Sequence, residues 1–199
     1  MSKTVGIFIA ITVAAIFLYA CNNEDYTPKP KAYPRIILPE RTGYEVYESN
    51  CPYTFEYPKN TLIEIDSFFF DEVVYDKCWF NIVYPTINSK IHFSYKRIGE
   101  DVSLEKILKD ADEMTYKHSR KADFIDEMEI KNQYGVEGLI FDVGGDAATN
   151  IQFYLTDYKE HYLRGALYFY ATPNADSLAP AIHYVKEDLN YFFNTFQWK

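Results

Sequence analysis

The sequence predicts an α+β domain in which one antiparallel β-sheet carries two main helices. Three observations lead to this prediction. Apolar and polar residues alternate in several short runs, which is typical of half-buried strands. Two longer segments carry apolar residues at intervals of three and four, which is typical of amphipathic helices. The links within the second group of strands are too short for the crossovers that parallel neighbours need, so the pairing is antiparallel.

The first strands come before the first helix. Tyr53, Phe55 and Tyr57 share one face of a strand that stops at Pro58, and a later alternating run stops at Pro85. Both stops are expected because proline cannot donate to a β-ladder. The strands predicted in this group are residues 53–57, 62–65, 78–84 and 90–96.

The first helix follows Ser103, an N-cap candidate, and has Glu105 in its first turn. Its apolar stripe consists of Leu104, Ile107, Leu108, Ala111 and Met114. Strands resume at residues 124–125, 128–130, 138–143, 150–155 and 162–170, with Gly144, Gly145 and Asp146 as a hairpin turn. Residues 173–177 then break the chain and cap the last helix. Its stripe is Leu178, Ile182, Val185, Leu189, Phe192, Phe193 and Phe196.

The N-terminus has the pattern of a bacterial lipoprotein signal peptide. Lys3 gives a basic start, residues 5–20 are apolar, and the small residue Ala20 precedes Cys21. These are the features of an export signal, and the cysteine makes the cleavage site a lipobox. An apolar run of this length falls short of the ~20 residues that span a bilayer. We expect removal of residues 1–20 and acylation of Cys21, for example with palmitate.

Residues 21–39 are predicted to form a tether, and residues 40–199 a single domain. Four of the nine prolines lie between positions 28 and 39. Prolines at this density favour extended chain and exclude helix. The remaining length suffices for one domain with its own core.

The charge of the chain excludes some partners. The formal net charge is −9, and loss of Lys3 with the signal peptide makes it −10. An acidic body without a basic stripe repels nucleic-acid phosphates and anionic lipid headgroups alike. We therefore expect no nucleic-acid binding, and we expect the acyl chains to provide the contact with the membrane.

Cys51 and Cys78 remain once Cys21 carries the lipid. An even pair of cysteines in an exported protein predicts a disulfide. The bridge would close a loop of about 27 residues and stabilise the fold by about 3 kcal/mol. Two buried free thiols are one alternative. A zinc pair is another, although no further ligands stand at metal spacing.

The sequence shows no pattern for catalysis or for a cofactor. The four histidines are scattered, and the carboxylates from Glu64 to Asp76 match no calcium loop. The glycines form no phosphate cradle, and no serine lies in a nucleophile elbow. We therefore predict no catalytic, cofactor-binding or metal-binding residues.

Aromatic residues give the best indication of a binding surface. Phe68, Phe69 and Phe70 lie in a charged loop, and a second group of tyrosines surrounds Tyr154 and Tyr158. Exposed aromatics suggest a partner surface. A charged loop without a partner is the plainer interpretation of the first group, and glycan stacking stays open as an alternative for the aromatic load.

Several short segments of the sequence, in their order and spacing, resemble the gliding-motility lipoprotein GldD family of Bacteroidetes-type bacteria. They are NCPYTFEYP at residues 50–58, CWFNIVYP at 78–85, IHFSYK at 91–96, QFYLTD at 152–157, RGALYF at 164–169, PNADSL at 173–178 and FQW at 196–198.

This resemblance implies an envelope lipoprotein needed for surface gliding and linked to type IX secretion. It implies lipidation of Cys21, no catalytic residues, and partners among other envelope gliding and secretion proteins. The expected location is the periplasmic side of the outer membrane. The order of elements also resembles the PsbP-like α/β sandwich. An envelope enzyme or glycan-binding module on the same scaffold is the alternative.

Overall fold

A seven-stranded antiparallel sheet forms the centre of the fold in the computed structural model of the chain. The structure describes residue 29 and residues 32–65, 68–69, 72–73, 78–99, 103–118 and 121–199, with residues 68–69, 72–73 and 118 described by their backbone. The strand order in this sheet is β3-β6-β7-β11-β10-β9-β8, and a smaller sheet has the order β1-β2-β12. The α+β prediction with antiparallel pairing is confirmed.

The elements follow one another along the chain in this order. The strands are β1 (Tyr44–Tyr47), β2 (Tyr53–Pro58), β3 (Leu62–Ile65), β4 (Phe68–Phe69), β5 (Glu72–Val73), β6 (Phe80–Tyr84), β7 (Ser89–Arg97), β8 (Ala122–Lys131), β9 (Glu137–Gly145), β10 (Ile151–Thr156), β11 (His161–Phe169) and β12 (Gln197–Trp198). The α-helices are α1 (Leu104–His118) and α2 (Ala175–Thr195), and a short 3-10 helix (Pro85–Ile87) lies between β6 and β7.

The two helices cover opposite faces of the main sheet. Ile107 and Ala111 of α1 pack with Phe141, Tyr154 and Tyr162 on one face. The neighbouring residues of those strands point to the other face, where α2 and the small sheet pack. Successive side chains of a strand point to opposite faces, so each buried strand supplies both layers.

Both helix starts agree with the sequence. The Ser103 side chain accepts a hydrogen bond from the backbone N–H of Lys106 at 3.3 Å. Asn174 caps α2 by accepting from the Ser177 N–H at 2.9 Å. These side chains satisfy backbone donors that a helix start leaves without partners.

The core between α2, the small sheet and the main sheet is built from aromatic rings. Phe55 of β2 lies 5.2 Å from Phe80 and 4.9 Å from Phe192, ring centroid to ring centroid. Phe80 stacks on Phe93 at 4.4 Å. Because these rings come from β2, from β6 and β7, and from α2, they join the small sheet, the main sheet and the helix.

A charge network around the buried Asp188 joins the segment before β1 to α2. The Arg41 guanidinium donates to the Asp188 carboxylate at 2.8 Å and to the Tyr184 carbonyl at 2.9 Å. It also lies 4.2 Å from the centre of the Tyr184 ring. Burial raises the pKa of Asp188, although hydrogen bonds from Arg41 and Tyr44 favour its charged form.

The structure differs from the sequence-based elements in the short β4–β5 pair and in three further places. Residues 122–131 form one strand with a bulge after Ala122, where two runs were expected. Gly144 and Gly145, expected in a hairpin turn, belong to β9. The Phe124 ring packs on the Cα of Gly144, and Gly145 has a positive φ beside the bulge. The small sheet was not expected at all.

The chain divides into two units, Met1–Tyr33 and Pro34–Lys199. The predicted signal peptide and Cys21 lie outside the described residues. The second unit already includes residues 34–39, and Ile36 packs on its core. The predicted tether and the boundary at residue 40 stay predictions. No helix in the described part of the chain is long and apolar enough to cross a membrane.

Cys51 and Cys78 are joined by a disulfide, with their Cα atoms 5.6 Å apart. The bridge connects the residues before β2 to those before β6. Nearby, the Tyr53 hydroxyl donates to the Cys78 carbonyl at 2.6 Å. The disulfide therefore ties the small sheet to the main sheet at the edge of the aromatic core.

We expect the double variant Cys51→Ala with Cys78→Ala to lose about 3 kcal/mol of unfolding free energy, because the unfolded chain regains the entropy of an open loop. This corresponds to a melting temperature lower by about 10 °C for a chain of this size. Thermal unfolding with and without reductant measures it, and reductant should leave the double variant unchanged. Free thiols on both cysteines in protein taken from the envelope would contradict the prediction.

Candidate functional site

Of the two predicted aromatic groups, the structure brings the second together. Tyr154 of β10 and Tyr158 of the β10–β11 turn line one cavity of about 340 Å³. For the first group, Phe68 and Phe69 belong to β4, which pairs with β5. Their side chains and Phe70 lie outside what the structure describes. The candidate site is therefore the cavity around the two tyrosines.

We call this cavity the tyrosine cleft. The side chains that define it are Glu129, Lys131, Glu137, Leu139, Tyr154 and Tyr158.

The strand register explains why these residues meet. Glu129 lies opposite Leu139 in the β8–β9 pair, and Leu139 lies opposite Tyr154 in the β9–β10 pair. A second row places Lys131 opposite Glu137. Residues opposite each other in antiparallel strands point to the same face, so the cleft opens on the face that carries α1.

The turn after β10 fixes the position of Tyr158. The Asp157 carboxylate accepts hydrogen bonds from the backbone N–H groups of Lys159, Glu160 and His161, each at 2.9 Å. The Thr156 hydroxyl accepts from the Tyr158 N–H at 2.9 Å. Tyr158 itself has a φ of 56°, which is uncommon for a residue with a side chain.

The positive φ of Tyr158 is thus imposed by its neighbours. Strained backbone of this kind persists where surrounding contacts determine it, and it clusters at functional sites. Here the result is that a half-exposed ring stands at the mouth of the cleft. A residue chosen for turn formation alone would be glycine or asparagine.

The polar groups of the cleft influence one another. Lys131 and Glu137 form an ion pair at 2.9 Å. Burial and interaction with Tyr158 raise the pKa of Tyr154 to about 12. The Tyr154 hydroxyl therefore stays protonated at neutral pH and keeps its hydrogen-bond donor.

Further carboxylates make the surroundings of the cleft negative. Burial and the charge of Glu127 raise the pKa of Asp112 on α1. The Tyr116 hydroxyl donates to Glu127 at 3.0 Å. The charges of Asp112 and Glu127 also contribute to the raised pKa of Tyr154. Aromatic faces and negative charge in one place are suited to holding a cationic group.

The remaining side chains considered from sequence are dispersed. His92 is on β7 with its ring 5.5 Å from that of Tyr168. His161 is bonded to the Tyr95 hydroxyl at 2.8 Å. The exposed His183 lies near Glu187 on α2. Within the described part of the chain, no group of three or more His, Cys, Asp or Glu residues is arranged to hold a metal ion.

The residues that complete the cleft were not predicted from the sequence. Glu127, Glu129 and Lys131 alternate with apolar Met128 and Ile130, so the pattern could have placed them on one face. It could not have shown that Leu139 and Tyr154 share that face with them, because this depends on the pairing of β8, β9 and β10.

Comparison with known proteins gives one family. The family model described as "Gliding motility lipoprotein GldD" matches residues 23–198. No curated protein matches the chain. Among solved structures, the solution structure of cyanobacterial PsbP (CyanoP) from Synechocystis sp. PCC 6803 is similar, with 10% sequence identity, a TM-score of 0.47, and coverage of 78% of this chain and 92% of that chain. The likeness is loose, and nothing about function follows from it.

We expect Asp157→Ala to lower the unfolding free energy by about 1 kcal/mol, by analogy with the removal of a side-chain cap. Burial opposes the charge of Asp157, but the hydrogen bonds from His161, Lys159 and Glu160 prevail and lower its pKa. Because the folded pKa is lowered, the stabilisation by the charge is present above the unfolded value of about 3.9 and is lost as the pH falls through the folded pKa.

Urea unfolding of the wild type and of Asp157→Asn at neutral pH and below pH ~4 measures this effect. The difference between the two should shrink at the lower pH. Asp126→Asn, on an exposed strand position, is the control and should change little. A difference that grew on acidification would contradict the assignment.

Proposed function

This chain belongs to the gliding motility lipoprotein GldD family, and we propose that it is a lipid-anchored, noncatalytic component or assembly factor of the gliding and type IX secretion apparatus. Membership of a lipoprotein family associates the chain with the cell envelope. The family match over residues 23–198 is the observation that carries the proposal.

The proposed anchor is Cys21, acylated after removal of residues 1–20. The apolar run of residues 5–20 and the Ala20–Cys21 site support it. Residues 21–39 are the proposed tether. We place the protein at the outer membrane, with the folded domain on the periplasmic side, where it would meet other envelope gliding and secretion proteins.

The proposed mode of action is binding of a partner protein. The tyrosine cleft supports it, because Tyr158 provides a half-exposed aromatic ring beside a preformed cavity. Tyr154, which is buried, lines the same cavity. The uncommon backbone conformation of Tyr158 also supports a binding site, because such conformations cluster at functional sites. The noncatalytic part of the proposal rests on the sequence, whose residues match no nucleophile–base or metal motif.

We expect Cys21→Ala to prevent lipidation, so that the domain is released from the membrane or keeps residues 1–20. The physical reason is that acyl chains supply the affinity for a bilayer that the acidic domain repels. Mass spectrometry of the mature N-terminus and fractionation of the envelope measure the outcome. Cys51→Ala is a control that should leave fractionation unchanged. An intact Met1, or an unmodified Cys21, in the wild type would disprove the anchor.

We expect the wild-type lipoprotein to retain envelope proteins specifically after crosslinking and purification from intact cells. Tyr158→Asn should weaken this retention by about tenfold, because one central aromatic anchor commonly contributes at least 1 kcal/mol. Asparagine tolerates the positive φ of Tyr158, so the fold should persist. Tyr170→Asn removes another exposed tyrosine away from the cleft and serves as the matched control.

The alternative of an enzyme has a distinct outcome. If the purified lipoprotein retains no partner and hydrolyses an envelope substrate, and if Glu129→Gln or Glu137→Gln abolishes that activity, the binding proposal is wrong. Retention of glycan fragments in place of protein would favour the glycan-binding alternative.

A further inference from the structure

Strand β8 leaves one side of its backbone without a neighbouring strand. It stands at the end of the main sheet and, among the described residues, pairs with β9 alone. The strand extends over Ala122–Lys131, and most of its side chains are exposed. An edge of this length presents a row of backbone donors and acceptors to which an extended segment can pair.

The backbone hydrogen bonds show which residues face outward. The Val143 N–H donates to the Asn150 carbonyl at 2.9 Å, so the backbone groups of Val143 point towards β10. Ile125, which lies opposite Val143, therefore turns its own backbone groups away from β9. The Asn132–Val136 pair, next to Lys131 and Glu137, leads to the same assignment. The Asn132 N–H bonds to the Val136 carbonyl at 3.1 Å, so Asn132 faces β9 and Lys131 faces outward. The outward residues of β8 are Ile125, Glu127, Glu129 and Lys131.

The side chains of these outward residues lie on the face of the tyrosine cleft. Glu129 and Lys131 line the cleft, and Glu127 lies on the same face beside Tyr116. Lys131 is paired with Glu137. Glu129 has no ion pair within the described chain, so the charge offered next to the open edge is negative.

We propose that β8 binds an extended segment of a partner protein as an added strand, with a lysine or arginine of that segment in the tyrosine cleft. The inference deepens the proposed binding role and rests on it. Main-chain hydrogen bonds to residues 125–131 supply affinity. Every second side chain of the added strand faces the cleft, and the cleft selects which side chains fit there.

The chemistry of the edge selects this occupant. A side chain of the added strand on the cleft face lies about 5 Å from Glu127 or Glu129. Opposite charges at this distance are favourable, and a cation near Tyr158 gains from its ring. A second copy of this chain would bring acidic strands together, and like charges directly opposite each other are destabilising. A basic, extended partner segment therefore fits better than a dimer.

The first experiment titrates the full-length lipoprotein in detergent micelles with a seven-residue peptide that alternates lysine and valine. A peptide with glutamate in place of lysine is the control. At saturation we expect hydrogen exchange of the Ile125, Glu127 and Glu129 amides to slow by about tenfold or more, because these N–H groups gain acceptors. The Asp126 and Met128 amides, already bonded to β9, should change little. Protection elsewhere, or none, would overturn the inference.

The second experiment reverses charge at the edge. Glu127→Lys with Glu129→Lys should weaken binding of the lysine peptide by about tenfold or more, and the glutamate peptide should then bind this variant better than it binds the wild type. Glu40→Lys with Glu48→Lys makes the same change of net charge at exposed positions elsewhere and should have little effect. If the reversed variant fails to fold, Glu127→Gln with Glu129→Gln replaces it. Equal weakening by both pairs would mean that net charge, not the edge, attracts the peptide.

The third experiment separates this inference from the proposed function. A photo-crosslinking residue is placed at position 127 or 48 of the lipoprotein in its own envelope, and the linked peptides are sequenced. Crosslinks from position 127 to an extended basic segment support the inference. If a partner copurifies but links from position 48 and not from 127, the edge assignment is wrong and the proposed function stands. Links from 127 to a second copy of this chain would also overturn it. Absence of any partner would remove the proposed function as well.

Discussion

The aromatic layer between the two sheets is the interaction on which the rest of the structure depends. Phe55 contacts rings from β6 and α2, and Phe93 stacks on Phe80 from the neighbouring strand. These rings are almost completely buried, and large buried aromatics contribute more to stability than any other side chains. The small sheet has few strands and little surface of its own to bury, so it stays folded because Tyr53 and Phe55 belong to this layer. The disulfide to Cys78 strengthens the same junction.

Packing on one face of the sheet also determines what the other face can do. Phe153 and Leu155 of β10 point into the aromatic layer, and the intervening Tyr154 must therefore point towards α1. The tyrosine cleft is thus a consequence of the register that buries the opposite face. Gly138 contributes to this arrangement, since a Cβ there would lie 1.9 Å from the Tyr154 carbonyl oxygen. The core and the candidate site share one set of strand pairings.

Local patterns were sufficient for most of the fold. Alternation in β2 and β7, the caps at Ser103 and Asn174, and the stripe of α2 each follow from a few neighbouring residues. The small sheet could not be predicted, because β12 has two residues and forms only by pairing with β2, which lies far away in the chain. The exposure of Met114 in the predicted α1 stripe likewise depends on how far the sheet extends beneath the helix. The cleft needed the register of three strands, although its two tyrosines were recognisable.

The Arg41 network has a mechanical consequence. Arg41 precedes β1, and its guanidinium joins Asp188, Glu187 and the Tyr184 carbonyl in the middle portion of α2. Tension applied along the chain ahead of Arg41 reaches these contacts before it reaches the hydrogen bonds between β1 and β2. The force is transmitted to α2, a helix of 21 residues that packs on the aromatic layer. It is therefore distributed over the buried surface of the helix, and the four-residue strand β1 is not opened one hydrogen bond at a time. A domain held from its N-terminal side can in this way be pulled without losing the shape of the face that carries its cleft.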